Sequence, residues 1–189
     1  VGRLVAASSA SVYGLADAFP TPEDHPLYNN RTWYGAAKIA NEALYRAFHD
    51  MAGLSYVALR YFNVYGPRMD VFGKYTEVLI RWMNRIAAGD PPLIFGDGKQ
   101  TRSFCYVADL VEGIYKLLVS EVNEPVNVGN PNEMTILDFA SKIAELTGCG
   151  SDIVFEPLPV DDPKVRQPDI SRATELLGWE PEVSLEDGL

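Results

Sequence analysis

The sequence predicts an α/β fold with a mainly parallel sheet. Three observations carry this. Leu4-Val5-Ala6-Ala7 is a short apolar run ending in small polar residues, Ser8-Ser9, as a buried parallel strand does where it enters a loop. Over residues 33–50 the apolar residues Ile39, Ala43, Leu44, Ala47 and Phe48 recur at helical spacing. From there onward, short β-favouring runs alternate with helix-like segments, the pattern of a parallel sheet with crossover helices.

The elements follow in order. Residues 28–32 are polar and turn-like, and the helix after them stops at Gly53. Residues 56–62, YVALRYF, are rich enough in aromatic and β-favouring residues for a strand. A second amphipathic helix spans 75–88 and ends at Gly89-Asp90-Pro91-Pro92. Leu93-Ile94-Phe95 is a short strand before the turn Gly96-Asp97-Gly98. Asp109 is placed to cap a helix over 110–119, and Val126-Asn127-Val128 is another strand. Thr135 with Asp138 resembles a capping box opening a helix to Leu146, closed by Gly148. Residues 153–158 suit a strand. Ser171 caps a last helix, ended by Gly178, and a further helix begins near Glu186.

Composition narrows the class. The chain has 189 residues, 47% hydrophobic and 22% charged, which excludes a disordered or collagenous polymer. Sixteen basic against 26 acidic residues give a net charge of −10, so nucleic acid is not an expected partner. A phosphate ligand would need a few placed arginines to hold it against that field. No apolar run reaches the roughly 18 residues of a membrane span, and no basic-then-apolar leader is visible. Cys105 and Cys149 make neither a disulfide framework nor a four-ligand zinc site, which fits a reducing, cytoplasmic compartment. His25 and His49 lack partners at metal spacing; both are expected on the surface, and no metal is expected. The chain opens at Val1 inside an apolar run and stops at Leu189 where a helix begins, which reads as a fragment of a longer protein.

The strongest chemical feature is Tyr34-Gly35-Ala36-Ala37-Lys38. On a helix, i and i+4 share a face, so the lysine charge stands beside the phenol. A neighbouring cation lowers a tyrosine pKa, near about 10 when unperturbed, and makes it a usable base. Gly35, Ala36 and Ala37 would let a ligand approach the helix. Alone, such a pair is more often a mere surface pair. Context strengthens it: Ser8-Ser9-Ala10-Ser11-Val12-Tyr13-Gly14 follows the first strand, and ligands of open α/β sheets bind at strand carboxyl ends. A serine there can hydrogen-bond a substrate hydroxyl and relay its proton to the tyrosine. The strand over 56–62 likewise ends in a polar residue, Asn63.

Together these motifs resemble the extended short-chain dehydrogenase/reductase family, the NAD-dependent nucleotide-sugar epimerases and dehydratases. The carrying residues are SSASVYG (8–14), YGAAK (34–38), LRYFNVYGPR (59–68), FGDGKQTRSFCYVADL (95–110), VNVGNP (126–131) and RQPDISRATELLGW (166–179). The resemblance implies the C-terminal part of a Rossmann-like doubly wound parallel sheet with a smaller α/β substrate-binding lobe. Residues 1–74 would belong to the NAD-binding domain and 75–189 mainly to the lobe, with crossings back to the sheet possible. The family's Gly-x-x-Gly-x-x-Gly loop does not occur in this sequence, and about the first 110 residues of the usual fold would lie outside it. Tight binding of NAD by these residues alone is therefore not expected.

By the same resemblance, Tyr34 is the catalytic base, Lys38 assists it and contacts the nicotinamide ribose, and Ser9 contacts the sugar 4-hydroxyl. The base takes that proton while C4 passes hydride to NAD, and the 4-keto sugar takes the hydride back on its other face. Asn63 would bond the substrate diphosphate, Arg102 and Arg166 would clamp it, and Phe95 would pack on the nucleotide base. Arg60 and Tyr61 would be core and cofactor-wall residues. The substrate would be a nucleotide-diphosphate sugar, NAD the cofactor, and the assembly a homodimer.

The motifs divide on the reaction. The segments after residue 100 look most like UDP-glucuronate decarboxylases, and the segment around the base more like UDP-glucose 4-epimerases. Decarboxylases of the family usually carry Ser-Glu before Val-Tyr-Gly, where this chain has Ala10-Ser11, and the Asp-Glu pair of the 4,6-dehydratases is missing too. Epimerisation needs no extra acid, so a 4-epimerase is expected, with a decarboxylase as alternative. A non-catalytic NAD-binding regulator or an inert fragment is a third possibility, against which the intact Tyr/Lys pair stands.

Overall fold

The computed structural model describes residues 2–71, 78–150, 152–157 and 165–189. In chain order the elements are β1 (Leu4–Ala7), a 3-10 turn (Ala10–Tyr13), α1 (Trp33–Ala52), β2 (Tyr56–Tyr61), β3 (Val64–Tyr65), α2 (Val78–Ala87), β4 (Leu93–Phe95), β5 (Thr101–Ser103), β6 (Cys105–Tyr106), α3 (Val107–Val119), β7 (Val126–Val128), β8 (Glu133–Thr135), α4 (Ile136–Thr147), β9 (Val154–Glu156), α5 (Ser171–Leu177) and α6 (Leu185–Gly188). The expected α/β class with a parallel sheet is what forms. The expected starts of the second helix at 75 and end of the strand at 158 fall outside the described residues.

β2 lies between β1 and β7, parallel to both, with Leu4 opposite Tyr56 and Tyr61 opposite Val128. As the middle strand, β2 is buried through its first five residues, which is why it reads as a nearly unbroken apolar run. β1 differs from expectation. Among the described residues it is the edge of this sheet, and Ala7 is exposed.

One core fills the face of the sheet covered by α3 and α5, built from Val57, Leu59, Leu117, Val126, Val128, Ala173 and Trp179. A second lies in the lobe, where Trp82, Ile94, Ile136, Phe139 and Ile143 join α2, β4 and α4. β7 comes from the later half of the chain yet completes the sheet begun by β1 and β2. The remaining strands pair two by two: β3 with β6 and β4 with β9 in parallel, β5 with β8 antiparallel.

Caps explain most helix boundaries. Thr32 accepts from the Gly35 amide to open α1, Thr135 accepts from Asp138 to open α4, and Gly53, Gly148 and Gly178 close helices in the left-handed conformation. Two caps differ from expectation. α3 begins at Val107, so Asp109 lies inside its first turn, buried, where its carboxylate accepts from the Val183 amide. Ser171 is the first residue of α5, and Asp169 accepts from its amide and hydroxyl. Among the described residues no helix is long and apolar enough to cross a membrane.

Candidate active site

The carboxyl end of β1 gathers the first group of expected residues. Tyr34 stands in the first turn of α1, about half exposed, and Lys38 one turn later. Lys38 Nζ donates to the Ala7 carbonyl at 2.7 Å and lies 5.5 Å from the centre of the Tyr34 ring. The lysine thus seats α1 on the last residue of β1. Two residues on, Ser9 is buried, and its hydroxyl accepts from the Ser11 amide at 3.1 Å, capping the 3-10 turn. This packing requires glycine at position 35: a Cβ there would stand 1.8 Å from Asn30 Nδ2 and 2.5 Å from the Ser11 carbonyl oxygen.

A second group forms around Ser103, in β5. Asn63 takes a left-handed backbone conformation, φ 25°, just beyond β2, and its Nδ2 donates to the Ser103 carbonyl at 2.8 Å. Arg102 is buried beside it, with Nη1 donating to the Thr101 carbonyl at 2.7 Å. The Ser103 hydroxyl donates to the Arg166 carbonyl at 3.4 Å, which brings the segment bearing the second arginine alongside β5. Phe95 ends β4. Gln100 links it to this group, its Nε2 donating to the Phe95 carbonyl at 2.6 Å just before β5 begins.

Sequence reasoning missed the polar network beneath the first group. Glu42 is buried on α1, and Arg60 donates to both its carboxylate oxygens, Nε to Oε1 at 2.9 Å and Nη2 to Oε2 at 2.6 Å. The Ser8 hydroxyl also donates to Glu42 Oε1. Arg60 Nη1 donates to the Tyr13 hydroxyl and the Glu23 carbonyl, and Tyr13 donates to Asn127 Oδ1 at 2.7 Å. Burial works against the Arg60 charge, but the hydrogen bonds to Glu42 and Tyr13 and the charges of both partners together outweigh it and raise its pKa above the ordinary arginine value. Burial pushes the Tyr13 phenol up to about 12 despite the opposing pull of Arg60. Glu42 was discoverable: Tyr34, Lys38 and Glu42 follow one another at intervals of four along one helix face.

His25 is not a surface residue. It is buried, its ring edge-on to Tyr13, with Nε2 2.9 Å from Asp17 Oδ1 and Nδ1 2.8 Å from the Pro26 carbonyl oxygen. His49 is half-buried against Tyr56, with Nδ1 2.8 Å from the Leu54 carbonyl oxygen. No group of three or more His, Cys, Asp or Glu that could hold a metal occurs among the described residues.

Comparison with known proteins bears on this arrangement. UDP-glucuronic acid decarboxylase 1 of Xenopus tropicalis is 39% identical over 99% of this chain and 45% of its own length. UDP-glucuronic acid decarboxylase 2 of Arabidopsis thaliana is also 39% identical, over 99% of this chain and 42% of its own. The chain thus spans a little under half the length of these relatives. Among solved structures, UDP-glucose 4-epimerase of Thermotoga maritima, with UDP-glucose, superposes with a TM-score of 0.93 and 35% identity over 100% of this chain and 61% of its own. UDP-glucuronic acid 4-epimerase of Bacillus cereus, with UDP-glucuronic acid and NAD, gives 0.86 and 32% over 98% and 58%. The profile of the NAD dependent epimerase/dehydratase family matches residues 1–129. This chain therefore belongs to the NAD-dependent epimerase/dehydratase family.

Proposed function

We propose that this chain carries the catalytic and substrate-binding residues of an NAD-dependent nucleotide-sugar 4-epimerase acting on a UDP-hexose. The observation that carries the proposal is the seat of Tyr34 and Lys38 on the end of β1, with Ser9 just beyond and no carboxylate within residues 8–14. Tyr34 takes the proton from the sugar 4-hydroxyl and returns it. Lys38, fixed by the Ala7 carbonyl, offsets the negative charge that develops on the Tyr34 oxygen. Ser9 orients the hydroxyl. Asn63, Arg102 and Arg166 hold the diphosphate, and Phe95 meets the nucleotide base.

The residues fit the ribose end of a nicotinamide cofactor: a half-exposed tyrosine and a half-buried lysine at the carboxyl end of a parallel strand. Tyr34 and Lys38 would hold it there. NAD, when bound, supplies reversible oxidation at the sugar C4. On this reading residues 1–74 belong to the cofactor-binding domain and 75–189 mainly to the substrate lobe, with β7 crossing back into the sheet. A homodimer and a cytoplasmic location complete the proposal, to be read by sedimentation and cell fractionation.

Epimerisation is preferred because only one proton moves, on and off O4. The carboxylate bonded to Ser8, that of Glu42, is committed to Arg60 and Ser8. The second reading is decarboxylation, favoured by the identity to UDP-glucuronic acid decarboxylases. Product analysis of the full-length protein separates the two. The 4-epimer from UDP-glucose, with no CO2 from UDP-glucuronate, is expected. UDP-xylose from UDP-glucuronate would overturn the choice.

A further inference from the structure

We infer that Glu42, acting through Ser8, is a positioning residue that sets the Tyr34 helix against the Ser9 turn. The inference rests on the proposed roles of Tyr34 and Ser9. α1 grips the end of β1 at two successive points one helical turn apart. Lys38 Nζ donates to the Ala7 carbonyl, and Glu42 Oε1 accepts from the Ser8 hydroxyl. The first contact holds Ala7 against α1; the second, from position i+4 to the next residue, holds the segment that leads into Ser9. Ser9 is the very next residue, in extended backbone (φ −167°), so its side chain leaves on the side opposite to Ser8. A hydroxyl drawn toward α1 at Ser8 thus turns the Ser9 hydroxyl away from Glu42, where it caps the turn ahead.

Glu42 is itself held rigidly. Arg60, in the middle strand, occupies both carboxylate oxygens and is fixed in turn by Tyr13 and the Glu23 carbonyl. The position of the base relative to Ser9 is therefore referred to β2, the most buried strand of the sheet. A reaction that needs both hydroxyls at one sugar oxygen is sensitive to that register, since misplacement by about 1 Å can cost on the order of 100-fold.

Two variants of the full-length protein separate positioning from stability. Ser8→Ala removes the clamp but leaves Glu42 paired with Arg60 through both oxygens, so the fold is retained. Glu42→Gln keeps an acceptor for Ser8 and removes the charge that balances Arg60. With UDP-glucose as substrate, Ser8→Ala is expected to lower kcat roughly 10-fold with KM within about twofold, while its thermal midpoint stays near that of the wild type. Glu42→Gln is expected to lose more thermal stability and less kcat. Amide hydrogen exchange across residues 9–13, read by mass spectrometry without substrate, is expected to rise in Ser8→Ala. A wild type that converts no nucleotide sugar would overturn the functional reading, and the exchange measurement would still judge the clamp. Unchanged exchange in Ser8→Ala, or unchanged kcat in an active enzyme, overturns this inference.

Discussion

Arg60 and Glu42 face each other as a two-pronged ion pair with both side chains buried, at 2.9 and 2.6 Å. A guanidinium out of water is tolerated only while its partner stays. Glu42→Ala is therefore expected to destabilise the protein by about 3–5 kcal/mol, the range for orphaning one member of a buried pair. Replacing both by apolar residues should recover part of that loss, so the double variant falls short of the sum of the singles. Urea unfolding of the four proteins of the cycle measures this.

Tyr34→Phe removes one oxygen from a half-exposed ring and leaves Lys38 on the Ala7 carbonyl. Turnover of UDP-glucose by the full-length protein should fall at least about 100-fold, the low end of general acid–base contributions, with substrate affinity nearly unchanged. Steady-state rates together with calorimetric binding would show it, and near-wild-type turnover would remove Tyr34 from the mechanism.

Arg102 and the Arg166 segment meet at Ser103, far along the chain from the base. Substitution of either arginine by methionine keeps the aliphatic stem and deletes the fork. A charged hydrogen bond is worth about 1.5–3 kcal/mol, so KM for the nucleotide sugar should rise roughly 10- to 100-fold with kcat changed far less. The dissociation constant of UDP should rise in parallel; if it does not move, the arginines do not clamp the diphosphate.

Three buried groups make the fold sensitive to base. Burial pushes Tyr13, Tyr65 and Cys105 each up to about 12 from ordinary values of 10.0, 10.0 and 9.0. A raised folded-state pKa means that the folded protein favours the protonated form. The associated stability is fully present below pH 9.0, begins to fall between 9.0 and 10.0, and is lost as pH rises through about 12. Urea midpoints between pH 8 and 11 should decline accordingly. Tyr13→Phe should soften that decline, while costing about 1–3 kcal/mol at neutral pH because Asn127 Oδ1 loses its donor.

What the sequence disclosed depended on how local the cause was. α1 was legible because Thr32 and Gly53 mark its ends by chemistry within a few residues. Its apolar spacing was legible too, but periodicity says which residues share a face, not what covers it. Leu44 and Phe48 are more than half exposed, and the residues α1 buries are Gly35 and Glu42. Asp109 looked like a cap because aspartate suits that position, yet its acceptor is spent on Val183, 74 positions away. His25 and Asp17 are near neighbours in sequence, but the histidine is buried, with Tyr13 edge-on against its ring, which the sequence does not announce. The second group was visible only as separate motifs, because Asn63 and Arg166 meet through Ser103, 40 and 63 positions from them.

The place of Asn127 in β7 has a consequence for the order of assembly. Its side chain donates to the carbonyls of Thr21, 106 positions earlier, and Asp169, 42 positions later, while accepting from Tyr13. β1, α1 and β2 leave the ribosome well before it, so the Tyr13 hydroxyl must wait, hydrated, for an acceptor not yet synthesised. Closing loops of that length is slow because chain entropy opposes contact until many bonds form together. The segment next to the base is therefore made well before the residues that complete it and is among the last to settle, its maturation timed by residues near 169.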